Sequence, residues 1–215
     1  MRVVSDFREL NKRIVRKPFP IPKISTVLQE LEGFTYATAL DLNMGYYTIR
    51  LDPDASKICT IILPWSKYSY LRLPMGIACS PDIFQAKMSE LMATLEFVRT
   101  YLDDLLCISK GNLDNHLAKL RRDIRLRNAG LKVNARKSCF CAMETEYLGY
   151  ILSRDGIKPQ PKKVQAILAL TLPQNVKQLR RFLGMVQYYR DIWARCSEIL
   201  APLSDLVRVW AHQDY

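Results

Sequence analysis

Soft-metal ligands and disulfide frameworks have little to work with in this 215-residue chain. It holds two histidines, and its six cysteines (Cys59, Cys79, Cys107, Cys139, Cys141 and Cys196) contain no C-x-x-C pair. Cys139 and Cys141 would share one face of a strand. They read as small buried thiols in a reducing compartment rather than as zinc ligands. Eight glycines exclude a collagen-like repeat, and an apolar content of 49% excludes a disordered chain. No apolar run reaches the length of a membrane span, no internal repeat or low-complexity tract occurs, and no secretory h-region follows Met1. What is present is enough for one large domain or two small ones, burying about 70% of the extended surface on folding.

Acidic residues are in deficit, 21 against 32 basic, for a net charge of +11. The excess is local. Residues 1–109 carry 13 basic and 12 acidic side chains, residues 110–181 carry 16 and 5, and residues 182–215 carry 3 and 4. A concentrated excess points to a track for a polyanion, and a set of solvated helix faces is the plain alternative.

Prolines punctuate the chain. KPFPIPKI (17–24) is extended because each proline pushes its predecessor out of the helical region. Ser25-Thr26 can cap a short helix through Leu31, closed by Gly33. Residues 34–42, 46–51, 58–63 and 68–73 read as strands. Ser80 as N-cap, Pro81 and Asp82 open a helix whose Phe84, Met88, Leu91, Met92 and Leu95 form one apolar face. Residues 97–109 read as two short strands joined by Asp103-Asp104. A helix follows from Asn115 to Asn128, and residues 146–152 read as one strand running into a turn at 153–156. Helices then start at Pro161, after Asn175 and at Cys196, the last interrupted by Pro202. The expected class is α+β, mixed elements first and helices after, divided into 1–157 and 158–215.

Asp103 and Asp104 need a reason. Adjacent carboxylates between apolar strands repel and lose hydration, so they form either a solvated turn or a cation site. Asp41 lies inside the apolar run ATALDL, where a buried strand would not casually place a charge. If the strand holding Asp41 lies beside the 97–109 hairpin, three carboxylates converge. Carboxylates without histidine are hard oxygen ligands suited to Mg²⁺.

These residues sit in a pattern that resembles the reverse transcriptase of LTR retrotransposons, nearest the Gypsy type. SDFRELNK (5–12) resembles the fingers motif, and KPFPIPKI the motif after it. ALDLNMGYYTIRLD (39–52) resembles motif A, LPMGIACSPDIFQAKM (73–88) motif B, and YLDD (101–104) motif C. AGLKVNARKSCF (129–140) resembles motif D, and YLGYIL (147–152) the primer grip. GIKPQPKKVQAI (156–167) and VKQLRRFLGMVQYYR (176–190) are similar to the family's thumb.

The resemblance implies a right-hand polymerase palm with partial fingers and a helical thumb, making DNA on RNA or DNA templates from dNTPs. It implies two Mg²⁺ ions, with Mn²⁺ as the alternative, held by Asp41, Asp103, Asp104 and the backbone carbonyl of Leu42. Tyr46 stands where the family has the aromatic that excludes ribonucleotides by shape, or it is a packed palm residue. Arg2 aligns with the arginine that contacts the triphosphate, or is a free end. Arg8 would touch the template or form a surface salt bridge. Lys137 falls at the motif D lysine that protonates pyrophosphate, or belongs to the basic track. Met75 would pack beside the nucleotide. Leu148, Gly149 and Tyr150 would hold the primer strand. Lys162, Lys163, Lys177, Arg180 and Arg181 would neutralise duplex phosphates.

The family's upstream fingers strand is not in this sequence. APLSDLVRVW (201–210) resembles the start of the connection to an RNase H domain. The expectation is a piece of a polyprotein whose RNase H and integrase regions lie elsewhere, working in the cytoplasm and inside virus-like particles, with no membrane partner. A non-catalytic remnant that still binds nucleic acid is the second reading.

Overall fold

Short elements separated by tight turns make up the computed structural model, which describes residues 5–213 apart from 30, 32 and 123. Helices α1 (Arg8–Asn11) and α2 (Ile24–Gln29) flank the proline stretch and lead into strand β1 (Tyr36–Asp41). Then come α3 (Pro53–Ile58) and the hairpin β2 (Thr60–Leu63) and β3 (Ser66–Ser69). Helix α4 (Ser80–Met92) precedes β4 (Val98–Tyr101) and β5 (Asp104–Ser109), followed by α5 (Leu113–Arg122), α6 (Ile124–Asn128) and β6 (Cys139–Ala142). A three-stranded meander, β7 (Glu144–Tyr147), β8 (Tyr150–Ser153) and β9 (Gly156–Pro159), leads into α7 (Pro161–Leu168), α8 (Val176–Gln187) and α9 (Cys196–Gln213). The α+β class and the run of helices at the end are as the sequence implies.

The site-bearing sheet is antiparallel in the order β4-β5-β1-β6. Both of its faces are covered. On one, Leu40 and Leu105 pack with Phe84, Met88 and Met92 of α4. On the other, Ala37 and Leu106 meet Val27 and Leu28 of α2, the meander residues Tyr147, Tyr150 and Leu152, and Tyr189. Burying one side chain of the size of Phe84 or Leu106 contributes about 2–3 kcal/mol. His116 of α5 is fully buried, with Nε2 2.8 Å from Thr38 Oγ1 and Nδ1 2.8 Å from Ser109 Oγ. It fixes that helix to β1 and β5. A third core joins Leu179, Leu183 and Val186 of α8 to Cys196 and Leu200 of α9.

Several local expectations fail for identifiable reasons. Residues 46–51 do not start as a strand. Met44 takes a left-handed φ of 54°, and Gly45–Thr48 close a 3₁₀ turn that carries Tyr46 inward. Ile58 ends a helix, because the Asp52 side chain accepts from Asp54 N at 2.9 Å and Pro53 occupies the first turn. The strand at 68–73 is shifted back to Ser66–Ser69. Cys79, not Ser80, is the N-cap of α4; Ser80 Oγ donates to Pro74 O at 2.8 Å. Asp82 is also more than a dipole partner. Its buried carboxylate accepts from Arg16 Nε at 2.8 Å and from Phe19 N at 3.1 Å, tying the proline stretch to α4. The 146–152 strand is a hairpin turning at Leu148-Gly149. Helix α9 runs through Pro202, because Leu200, Leu203, Leu206 and Val207 keep its apolar stripe on α8. Cys59, Cys107 and Cys196 are buried, and the other three cysteines are half-buried.

Candidate active site

Register decides where the carboxylates lie. Asp41, last residue of β1, stands opposite Asp104, first residue of β5. Leu42 N donates to the carbonyl of Asp103 at 2.9 Å, which brings the third acid to the same sheet end. Burial, then the charges of Asp103 and Asp41, push the Asp104 carboxyl up to about 6, against the opposing pull of Lys137. Asp103 lies in the turn between β4 and β5, and both Asp103 and Asp104 are half-buried.

The turn between β4 and β5 is strained. Tyr101 pairs with Asp104, leaving Leu102 and Asp103 as a two-residue connection, and Leu102 sits at φ 53°. Turn chemistry gives such a position to glycine or asparagine, and a branched side chain costs about 1–2 kcal/mol there. Gln85 of α4, 1% exposed, holds it: Oε1 accepts from Leu102 N at 2.7 Å. The Gln85 amide nitrogen lies 3.3 Å from the carbonyl and hydroxyl oxygens of Thr100. Sequence reasoning missed Gln85. Its one signal is a polar residue at a core-facing helix position.

The loop before β6 grips Asp41 by its backbone. Asn43 N donates to Lys132 O at 2.7 Å, Asn134 N donates to Asp41 O at 2.8 Å, and Asp41 N donates to Ser138 Oγ at 3.1 Å. Ser138 Oγ in turn donates to Asn134 O at 2.8 Å. The loop therefore delivers Lys137, whose Nζ lies 3.6 Å from Asp41 Oδ2. Lys137 is at the acid cluster, and not merely on a basic surface.

Tyr46 is 9% exposed, and its ring stacks on Phe84 with centroids 4.8 Å apart. Met75 is half-buried against the same core. Gly45 is needed beneath them, because a Cβ there would lie 2.6 Å from Phe84 Cζ. Arg2 lies outside the described residues. Arg8 is taken by Asp6, donating Nε and Nη2 to its two oxygens at 2.6–3.0 Å on an exposed surface. The surface salt bridge describes it. Asn11 was not singled out from the sequence. Its side chain donates to Gly76 O and accepts from Ala78 N, both at 2.8 Å, binding α1 to the loop before α4.

A cavity of about 260 Å³ separates the acids from the meander, lined by Asp41, Asp104, Lys137, Tyr147, Gly149 and Lys163. Across it stands the Leu148-Gly149 turn. Tyr150, buried beside it, packs on Tyr188 and Tyr189. Lys162, Lys163, Lys177, Arg180 and Arg181 are all exposed. Lys177, Arg180 and Arg181 alternate on α8 with the buried Leu179 and Leu183, so they line its outer side. Neither α7 nor α8 has an acid in its first turn to offset the helix dipole.

Three carboxylates with no histidine form a hard donor set, and the reluctance of Asp104 to ionise is what a cation would relieve. Among the described residues, however, no group of three or more His, Cys, Asp or Glu side chains is gathered so as to hold a metal ion. Lys137 lies on Asp41 in their place.

The chain is similar to known proteins of one family. Residues 1–152 match the family described as reverse transcriptase (RNA-dependent DNA polymerase). The chain is 38% identical over 211 residues to the retrovirus-related Pol polyprotein from transposon opus of Drosophila melanogaster, covering 96% of this chain and 21% of that protein. It is 31% identical over 210 residues to the Pol polyprotein from transposon gypsy of the same species, with coverage of 96% and 20%. The Tf2-3 transposon polyprotein of Schizosaccharomyces pombe is 31% identical over 212 residues, with coverage of 97% and 16%. The chain thus spans about a fifth of the length of these relatives. Among solved structures, a foamy viral protease-reverse transcriptase in complex with double-stranded DNA superposes at a TM-score of 0.91 and 26% identity, covering 97% of this chain and 37% of that one. The protein in complex with an RNA/DNA hybrid gives 0.85 and 25%, covering 95% and 28%.

Proposed function

The chain belongs to the reverse transcriptase family, and from that premise we propose that it is the polymerase segment of a Gypsy-type retroelement polyprotein, extending a primer 3′-hydroxyl with dNTPs on RNA or DNA templates. One observation carries the reading: Asp41 and Asp104 face each other across β1 and β5, with Asp103 joined to Leu42 through the backbone. In this reading Asp41, Asp103, Asp104 and the Leu42 carbonyl would hold two Mg²⁺ ions, or Mn²⁺, which would supply charge neutralisation on the triphosphate and acidify the primer hydroxyl. The residues of the chain do the rest. Lys137, with Nζ 3.6 Å from Asp41 Oδ2, is placed to give its proton to the departing pyrophosphate oxygen. Tyr46, braced by Phe84, closes the space a 2′-hydroxyl would need, and Met75 packs beside the nucleotide. Arg2 contacts the triphosphate. Leu148, Gly149 and Tyr150 hold the primer strand, and the exposed bases of α7 and α8 track duplex phosphates. The palm with partial fingers comprises 1–157 and the thumb 158–215, β9 carrying the pairing on to Pro159. RNase H and integrase regions belong to the parent polyprotein, in cytoplasmic virus-like particles.

The second reading, a nucleic-acid-binding remnant without catalysis, is favoured by the ion pair that Lys137 forms with Asp41. Primer extension on an RNA template with dNTPs and Mg²⁺, beside Asp103→Asn, separates the two. Extension by the parent and none by the variant, with equal duplex binding, establishes the polymerase. Binding without extension in either establishes the remnant.

A further inference from the structure

The Leu148-Gly149 turn is held by a part of the chain that its own hairpin does not supply. Tyr147 pairs with Tyr150, so the turn has two residues, and both are left-handed, Leu148 at φ 47° and Gly149 at φ 77°. Gly149 suits that conformation and Leu148 does not. The carbonyls of both residues are taken by the segment that follows α8. Tyr188 Oη donates to Leu148 O at 2.6 Å, and Tyr189 Oη donates to Gly149 O at 3.2 Å. Tyr150 Oη returns a bond to Tyr188 O at 2.7 Å, and the three rings pack with centroids 5.1–5.5 Å apart. Lys163 Nζ of α7 lies 4.9 Å from the centre of the Tyr188 ring. A Cβ on Gly149 would collide with that ammonium and come within 3.0 Å of Tyr188 Oη.

We propose that Tyr188 and Tyr189 are positioning residues: their hydroxyls lock the palm turn to the end of α8, so that duplex gripped by α8 fixes where the turn presents the primer end. The inference rests on the polymerase reading for its consequence and on the two hydroxyl-to-carbonyl bonds for its mechanism. Helix α8 carries Lys177, Arg180 and Arg181 on its outer side and ends beside the two tyrosines, so a load on its cationic face reaches the turn through one rigid element. The cavity lined by Gly149, Asp41 and Asp104 sets the turn directly across from the acids. A shift of the turn therefore moves what it holds relative to the carboxylates, and misplacement by about 1 Å can cost a hundredfold in rate.

The test is the double variant Tyr188→Phe/Tyr189→Phe in the full chain, which keeps the rings and removes only the hydroxyls. Hydrogen exchange of the 144–153 peptide, with and without a DNA duplex, reads the lock without reference to catalysis. Exchange about tenfold faster in the free variant is expected from the loss of two bonds. Duplex is expected to protect this peptide in the parent and not in the variant. Primer extension is expected to fall about tenfold in kcat, with the Kd for template–primer within twofold. Unchanged exchange would overturn the lock. Faster exchange with an unchanged kcat would overturn positioning, and so would a parallel loss of kcat, Kd and Tm, the mark of mere support. If the parent itself does not extend primers while both exchange results appear, the polymerase reading fails and the lock between α8 and the turn stands.

Discussion

The amide of Leu102 reaches Gln85 Oε1 at 2.7 Å, and this bond fastens the strained turn between Tyr101 and Asp104 to the most deeply packed helix of the palm. Asp103 is the residue that follows. Its carbonyl is held from the other side by Leu42 N, so the turn is pinned at the peptide units on either side of the Leu102–Asp103 bond. The second strained hairpin, at Leu148, is also pinned by side chains from a helical segment. In both, a leucine occupies a backbone conformation it disfavours, and remote hydrogen bonds keep it there.

Replacing Gln85 by Leu should release the first of these turns. The Leu102 amide would lose its partner in a half-buried position, which costs about 1–3 kcal/mol. A loss of that size lowers Tm by roughly 2–4 °C per kcal/mol in a chain of this length. Extension should fall at least tenfold, because Asp103 and Asp104 lose their placement, while template–primer binding stays unchanged. Thermal melting and single-turnover extension check this. A variant with normal extension would show that the β4–β5 pairing holds the turn unaided.

What could be read in advance was short-range. Asp41 within an apolar run and Asp103-Asp104 between two apolar strands were readable; that the strands lie side by side, the condition for the acids to converge, is supplied by the β1–β5 register. Asn175 as a cap was equally readable, its Oδ1 accepting from Gln178 N at 2.9 Å. The Leu148-Gly149 turn was hidden because leucine is not a turn residue, and what permits it lies 40 residues away at Tyr188 and Tyr189. Gln85, Asn11 and Arg16 share that character. Each bonds a partner set by tertiary packing, which no local pattern announces.

Two buried groups should lower stability on acidification, and Asp104 should oppose them between about pH 6 and 4, because a carboxyl raised to about 6 holds a proton in the folded chain that the unfolded chain lacks. His116 is fully buried, and burial, with Lys119 nearby, holds its ring below the ordinary value near 6.5. The unfolded chain then binds a proton that the folded chain does not, so stability is full above about 6.5 and declines as pH falls below it. Asp82 is held below the usual carboxylate range, first by its hydrogen bond from Arg16. Its contribution is complete above about 4 and is lost as pH falls further. Urea unfolding at pH 8, 6.5, 5 and 3.5 should show both declines once Asp104→Asn removes the opposing contribution. His116→Gln should flatten the first, and Asp82→Asn should flatten the second while lowering stability at pH 7 by about 1–3 kcal/mol. An unchanged slope between pH 6.5 and 5 in His116→Gln would assign the first decline to other groups.

Charge reversal at Arg180 and Arg181 should weaken duplex binding and flatten its salt dependence. These side chains are exposed on α8, whereas Lys163 packs on Tyr188. Each lost phosphate contact flattens the dependence of log K on log salt by about 0.9, so the double variant should lose roughly 2 from the slope. Fluorescence anisotropy from 50 to 200 mM salt measures it. A slope identical to that of the parent would remove α8 from the duplex track.

Selection between dNTP and rNTP should depend on the Tyr46 ring rather than on its hydroxyl. The ring is stacked on Phe84, itself 1% exposed and unable to retreat, so its plane is fixed by the core. Tyr46→Phe should therefore extend with dNTPs and reject rNTPs much as the parent does. Tyr46→Val empties the space under the sugar, and rNTP incorporation should rise at least tenfold relative to dNTP, with a loss of stability of about 2–4 kcal/mol from the cavity. Gly45→Ala attacks the same support from below, since its Cβ would press on Phe84 Cζ; overpacking of that kind costs about 1–3 kcal/mol. Steady-state kinetics with matched dNTP and rNTP separate the roles. Loss of discrimination in Tyr46→Phe would make a hydrogen bond, not shape, the selector, and unchanged discrimination in Tyr46→Val would leave Tyr46 as core packing alone.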